Sequence, residues 1–295
     1  MDFKQLYSFV SVVKLKSFSK AADMMYLTQP TVSGHIQALE NELGTELINR
    51  NGKNISATEA GEILFNYALD ILNKRENILF DLSKFKGSIA GILEISASTI
   101  PEQYVLPRLI ANFNNLYPDV RFNLMRYDSQ QVIDKILGGE IDFGIVGFKK
   151  ELPQLTYMEI MKDKIILVAP AMKPYLNMES LDIQSLREYK ILLRETGSGT
   201  RKSLENTLGK HNLSVKDLNV VALIENTETI KECVKNGLGL SFISEKAVQQ
   251  EIQHNLLKLI TVKDLQIERK FYFVYHKIRA LSPLAETFKL FILNC

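Results

Sequence analysis

Apolar positions near the start of the chain recur with a helical period. Over residues 2–15, Phe3, Leu6, Phe9, Val10 and Val13 fall on one side, predicting an amphipathic helix with those residues toward a core. Residues 17–44 read SFSKAADMMYLTQPTVSGHIQALENELG and predict a helix, a short turn and a second helix. Ala21 and Ala22 are small enough for two helix backbones to cross closely, and Met25 and Leu27 offer apolar anchors before the turn. Thr28 suits an N-cap, and Pro30 sits in the first turn, where a missing N–H costs nothing. Val32, Ile36, Leu39 and Leu43 then recur at helical steps and form one stripe. At about 100° per residue, the opposite side carries Pro30, Ser33, Gly34 and Gln37. One side is built to dock. The other is polar, compact and narrow, as a helix entering a DNA major groove must be.

Residues 47–55 hold two short β-prone runs around Asn51-Gly52 and predict a hairpin. Following the second helix, it forms a wing that places Arg50 and Lys53 within reach of phosphate. Thr58 reads as the N-cap of a long helix running to about residue 85, with Glu59 and Glu62 suited to its positive end. Along it Leu64, Ala68, Ile71, Arg75, Ile78, Leu82 and Phe85 alternate steps of four and three, a heptad seam. So sustained a seam predicts pairing with a second copy through Leu64, Ala68, Ile71, Ile78 and Leu82, with Arg75 setting register or pairing across the dimer. The alternative is a helix packed on its own domain. Dimerisation bears on function because two copies present two recognition helices to a two-fold operator.

Lys86-Gly87-Ser88 and Gly91 mark a boundary, beyond which strands alternate with helices. Strands are predicted at 92–97, 120–126 and 141–146, with helices at 101–116 and 130–137, a parallel α/β unit. A second unit begins near 164–169 and continues with strands at 191–194 and 220–224 and helices at 198–211 and 229–236. Strands at 240–243 and 270–275 and a closing helix at 283–293 complete the chain.

Phe9, Val12, SFSKAA (17–22), TQPTVS (28–33), Ile36, LENELG (39–44), Leu47, Arg50 and TEAG (58–61) together resemble the LysR-type family of bacterial transcription regulators. The resemblance extends through LPRLIANFNNLYPDV, GEIDFGIVG and VKNGLGLSFIS, nearly the whole chain. It departs from the family pattern at Ile48, where Phe is usual, and at Gly34, where a long basic or polar side chain is often found. Gly34 leaves two readings open: a bare backbone for close approach to DNA, or drift at a tolerant surface position. The resemblance implies an α/β protein with an all-α-rich winged helix-turn-helix domain at residues 1–58 and a linker and dimerisation helix at 59–89. A two-lobed effector-binding domain of periplasmic-binding-protein type (type 2) would follow at 90–295. Its lobe I would take about 90–162 and 269–295, and lobe II about 163–268. The residues expected against double-stranded DNA are Ser19, Lys20, Thr28, Gln29, Pro30, Thr31, Ser33, Gly34, Gln37, Arg50 and Lys53. Ser33 and Gln37 would read base edges, while Thr28, Thr31, Arg50 and Lys53 fix the backbone register. Further expectations are an inverted-repeat operator, a homodimer paired into a homotetramer, and RNA polymerase as a partner.

Three strand-to-helix turns are candidates for the ligand site. Ser98-Thr99 opens one helix, Thr196-Gly197-Ser198-Gly199-Thr200 another, and Asn226-Thr227 a third. Each places hydroxyls and free backbone N–H groups at a positive helix end, where an anion is held. Gly147, at another strand end, is a candidate for the rim, and Arg194 and Arg201 flank the middle turn. The wording RETGSGTR (194–201) with ASTIP (97–101) looks most like the subgroup tied to sulfur, selenium or carbon-assimilation genes.

Charge sharpens the picture only locally. Net charge is +2, so composition does not announce a nucleic-acid binder. Bases cluster before the first helix of the motif and in the wing, acids at the far end of the second helix, and that segregation orients a protein on DNA. Two cysteines, Cys233 and Cys295, give neither a disulfide framework nor a metal site. With no signal-like start and no membrane-length apolar run, a cytoplasmic location without membrane contact is expected. The segment GSGTRKS has no Gly before Lys202, so it is not a P-loop, and G-x-S-x-G and H-E-x-x-H are both absent. His35, His211, His254 and His276 are scattered and read as surface or capping residues. Neither catalysis nor a cofactor is expected, only a small anionic effector. Two alternatives differ in class. An α/β ligand-binding enzyme with an accessory helical domain predicts turnover without DNA retention. An architectural DNA binder predicts that deleting residues 90–295 leaves promoter control unchanged.

Overall fold

The structure is a computed structural model that describes residues 1–50, 55–85 and 89–294. Helix α1 (Phe3–Leu15) starts at a reciprocal cap, in which Asp2 accepts the Gln5 N–H at 2.8 Å and the Gln5 side chain accepts the Asp2 N–H at 2.9 Å. Helix α2 (Phe18–Met24) is capped by Ser17 and α3 (Gln29–Leu43) by Thr28. Gly44, in the left-handed conformation, closes α3. Strands β1 (Ile48–Asn49) and β2 (Ser56–Ala57) pair antiparallel as the arms of a wing, with Ile48 opposite Ala57. The expected Asn51-Gly52 turn and Lys53 lie outside the described residues, as do Lys86-Gly87-Ser88 and Cys295. Helix α4 (Glu59–Phe85) has Thr58 at its start, where the Thr58 hydroxyl accepts the Gly61 N–H at 3.0 Å.

Phe9, Val12, Ala21, Ala22, Val32, Ile36 and Leu39 form the centre of this module, with Leu47, Ile48 and three residues of α4, Phe65, Ala68 and Leu69. Three expectations are corrected. Phe3 stands 51% exposed beside the Arg75 guanidinium, because α1 turns its Phe9–Val12 arc inward and its first turn lies at the rim. Leu43, in the last turn of α3, overshoots the core and is exposed. The first turns of α4 wall the helix-turn-helix core, so Ala68 is fully buried there and Leu64 packs against it. Those two seam positions are therefore intramolecular. Only from Ile71 onward does the seam stay open, with Ile78, Leu82 and Phe85 all exposed.

The remainder is built on one twisted sheet. In chain order it comprises β3 (Gly91–Ser98), α5 (Leu106–Leu116), β4 (Val120–Tyr127), α6 (Ser129–Leu137), β5 (Phe143–Val146), β6 (Leu155–Pro170), β7 (Ser180–Leu181) and β8 (Lys190–Leu193). There follow α7 (Gly199–Lys210), β9 (Asn219–Leu223), α8 (Thr227–Lys235), β10 (Leu240–Ser244), α9 (Glu245–Gln253), β11 (Leu257–Val262), β12 (Ile267–His276) and α10 (Pro283–Leu293). The main path runs β4-β3-β5-β12-β6-β10-β8-β9. The trios β4-β3-β5 and β10-β8-β9 are parallel, as expected, but the middle pairs are antiparallel. The strand expected at 164–169 is only the end of β6, which with β12 runs through both halves. Their register shifts between Phe271 and Tyr272, a bulge that bends the ribbon where the halves meet.

The helix expected at 101–116 opens as one wide π turn, Pro101–Val105, before α5. Neither α9 nor β11 was expected, since each carries polar residues through a short apolar pattern. Helix α10 returns to the first half, where Phe288 meets Phe113 edge-on at 5.1 Å. Among the described residues no helix is long and apolar enough to cross a membrane.

Candidate functional site

Two places gather the chemistry. The first is the outer face of α3. Val32, Ile36 and Leu39 are fully buried, while Gln29, Pro30, Thr31, Gly34 and Gln37 are exposed and Ser33 half-buried. Ser19 and Lys20 of α2 are exposed beside this edge of the motif. Thr28 holds the start of α3, its hydroxyl 2.8 Å from that of Thr31. A Cβ placed on Gly34 would meet nothing within 4 Å, so no internal contact asks for a glycine there. Behind the face, Ser8 Oγ lies 2.8 Å from His35 Nδ1 and fixes the roll of α3 against α1.

The wing is tied to this helix by Glu40, one of the acids at the far end of α3. Glu40 Oε1 accepts the N–H groups of Leu47 (2.9 Å) and Ile48 (3.3 Å), and its Oε2 takes Arg50 Nη2 at 2.7 Å. Arg50, expected at phosphate, is therefore held by Glu40 and lies 5.9 Å from the Phe18 ring centre, although almost half its side chain remains exposed.

The second place is the seam between the two halves of the sheet. Ser98, Thr99, Asp128, Ser129, Arg194, Glu195, Ser198, Gly199, Thr200 and Arg269 line a cavity of about 10 Å³, room for about one water. Two of the three predicted turns meet here directly. The third is reached through Arg194, which donates from Nη1 to Thr227 Oγ1 at 2.9 Å and from Nη2 to Thr99 Oγ1 at 3.1 Å. Glu195 grips the same guanidinium with both oxygens at 2.8 Å. Arg194 thus ties the halves together. Gly147 is no mere rim residue. A Cβ on Gly199 would stand 3.1 Å from the Gly147 carbonyl carbon, and one on Gly147 would stand 3.2 Å from Arg269 Nη1. A Cβ on Gly197 would stand 2.3 Å from Asp128 Oδ2, so this glycine, too, permits a close approach between halves. Thr196 is corrected: it is exposed, outside the cavity, because the turn points it to solvent. Arg201 is engaged elsewhere, by Glu205 and the Arg194 carbonyl.

Sequence reasoning missed Arg269 and Asp163, which face each other across β12 and β6 at the floor of the seam. Arg269 Nε donates to Asp163 Oδ2 at 2.8 Å and Nη1 to Thr200 Oγ1 at 2.9 Å, while Ser244 donates to Asp163 Oδ1 at 2.8 Å. Burial pulls the Arg269 guanidinium below its ordinary value, and Asp163 opposes that shift. The missed signal was strand parity. In IERKF and MKDKI, Arg269 and Asp163 fall on the inward positions shared by Ile267, Phe271 and Ile165. A further tie crosses the halves outside the cavity, where Tyr104 donates to Glu228. Burial works against the charge of Lys231, but Glu251 at 2.7 Å and Glu228 at 2.9 Å outweigh it and hold its pKa above the usual lysine value.

Comparison with known proteins places both regions. Residues 3–62 match the family model described as bacterial regulatory helix-turn-helix protein, lysR family, and residues 86–294 match the LysR substrate binding domain. The HTH-type transcriptional regulator CysL of Bacillus subtilis is 29% identical over 98% of this chain and 94% of its own. A probable RuBisCO transcriptional regulator of Synechocystis is 29% identical over 96% of this chain and 83% of its own. Among solved structures, full-length OxyR from Pseudomonas aeruginosa superposes with a TM-score of 0.76 at 21% identity, covering 100% of this chain and 95% of that one. CbnR complexed with its target DNA gives 0.61 at 18% identity, covering 100% and 99%, and shares the fold.

Proposed function

The chain belongs to the LysR family of helix-turn-helix transcription regulators, and from that footing we propose how it meets its operator and its effector. The observation that carries the reading is α3 itself, fully buried along Val32, Ile36 and Leu39 and open along Gln29, Thr31, Gly34 and Gln37. Ser33 and Gln37 read base edges in the major groove, while Ser19, Lys20, Thr28, Thr31 and Lys53 fix the register on phosphate and Arg50 is held back from it by Glu40. Two copies pair along α4 from Ile71 to Leu82 and present two such helices to an inverted repeat, and a second pairing makes a tetramer. A small anion enters between the halves of the C-terminal region and shifts their angle. That shift changes half-site spacing and the access of RNA polymerase, in the cytoplasm where both are found. The likeness to a probable RuBisCO regulator supports carbon-assimilation genes as the regulated class.

Gel retardation on the DNA upstream of the chain's own gene tests this, with sulfur, selenium and carboxylate metabolites added in turn. Gln37→Ala is expected to flatten the preference for operator over random duplex by about 1–3 kcal/mol per lost base contact. Equal retention of random and operator DNA by the wild type would overturn the reading.

A further inference from the structure

Among the buried side-chain atoms of the described residues lining the cavity, one has no hydrogen-bond partner: Nη2 of Arg269. The rest of that guanidinium is fully committed. Asp163 holds Nε, Thr200 holds Nη1, and the Phe271 ring lies 4.8 Å from its centre. We propose that Arg269 is the specificity-determining residue of the cleft, its Nη2 donating to an oxygen of an anionic group on the effector. This rests on the reading that the cleft binds the effector, and adds which residue selects the ligand and for what.

The neighbouring carboxylates leave that demand unmet. Asp163 is shared between Nε and Ser244, and both oxygens of Glu195 are taken by Arg194. Asp128 accepts the Gln131 N–H and packs on Gly197. The missing partner is an acceptor, and a guanidinium fixed on its other sides meets a carboxylate, phosphate or sulfate without reorganising. Thr200, the acceptor that orients Nη1, lies in the first turn of α7, so free backbone N–H groups face the same space. The cavity is water-sized, so it takes the charged tip of the ligand, and the body of the ligand needs the halves to part. Arg269 and Asp163 are cross-strand partners on the two strands common to both halves, so the contact is made where the halves join.

The test is calorimetric titration of the full chain with inorganic phosphate, and separately with sulfate and acetate, at constant ionic strength. Glycerol serves as the neutral probe. Wild type is expected to bind at least one anion and not glycerol. Arg269→Lys keeps the charge but replaces the planar fork with a point charge, and is expected to weaken that binding roughly ten- to hundredfold. Circular dichroism checks that it folds; if it does not, Thr200→Val removes the acceptor that orients the guanidinium and should weaken binding roughly fivefold. Ser98→Val fills the cavity without touching any bond of Arg269. Loss of binding in Ser98→Val with Arg269→Lys unchanged would leave the cleft in place and overturn the role of Arg269. Binding unchanged in both would put the anion elsewhere and overturn the cleft reading as well. No anion bound by the wild type, with Nη2 served by a water alone, would overturn both.

Discussion

In the helix-turn-helix module the side chains proposed to read DNA are exposed and the apolar ones behind them are buried, whereas in the interlobe cleft the polar side chains are themselves buried. Gln37 stands in solvent with Ile36 fully buried next to it; Arg269 and Asp163 lie inside and are bonded to each other. The contrast sets what a substitution costs. On the α3 face, removing a polar group forfeits a contact with a partner that comes and goes. In the cleft it strands another polar group in a low-dielectric interior. A surface built to meet DNA tolerates change in the free protein, and a pre-organised cleft does not.

The largest effect should therefore come from breaking the buried pair. Arg269→Met takes the guanidinium away from buried Asp163 and leaves it the Ser244 hydroxyl, and is expected to cost about 3–5 kcal/mol in urea unfolding. Adding Asp163→Leu should recover most of that loss, because a well-packed apolar pair replaces a buried ion pair at little net cost. If the double variant were no more stable than the single, the pair would not be the source of the cost.

An intermediate effect is expected at Glu40, which belongs to the exposed module yet behaves as a cleft residue does. Glu40→Ala removes the acceptor for two backbone N–H groups and for Arg50, and should cost about 1–3 kcal/mol. Glu40→Gln separates the two roles. It keeps an acceptor for Leu47 and Ile48 but frees Arg50, so DNA affinity at low salt should rise and the salt dependence steepen by about 0.9 in log–log slope. An unchanged slope would mean that Arg50 does not reach phosphate even when released.

The same contrast explains how far the sequence could be read. In the module, exposure and packing share one helical period, so the buried Val32 and Ile36 can be told from Ser33 and Gln37 by spacing alone. Periodicity fails at element ends, where Phe3 and Leu43 keep the phase but lie at the rim and stay exposed. It also could not tell an intramolecular wall from a dimer seam at Ala68, because both satisfy a heptad. In the cleft, turn chemistry picked out Ser98, Thr99 and residues 197–200 as local signals. Local pattern assigns Arg194 no role and does not single out Arg269, since Thr99 and Thr200, which they bind, lie far off along the chain. Gly147 reads as a rim residue for a similar reason: its close approach to Gly199 is encoded by no local pattern.

The smallest effect sharpens the comparison at the edge of the module. Leu39 and Leu43 sit four residues apart on one stripe and look interchangeable in the sequence, yet Leu39 is fully buried and Leu43 is 43% exposed. Leu43→Gln removes little buried area and keeps a good helix former, so its stability should stay within about 0.5 kcal/mol of wild type. Leu39→Ala, by contrast, should lose about 2–5 kcal/mol. Urea melts of the two variants decide the matter. Comparable losses would mean that Leu43 is covered in the assembled protein, and the open edge of α3 would then be a contact between copies.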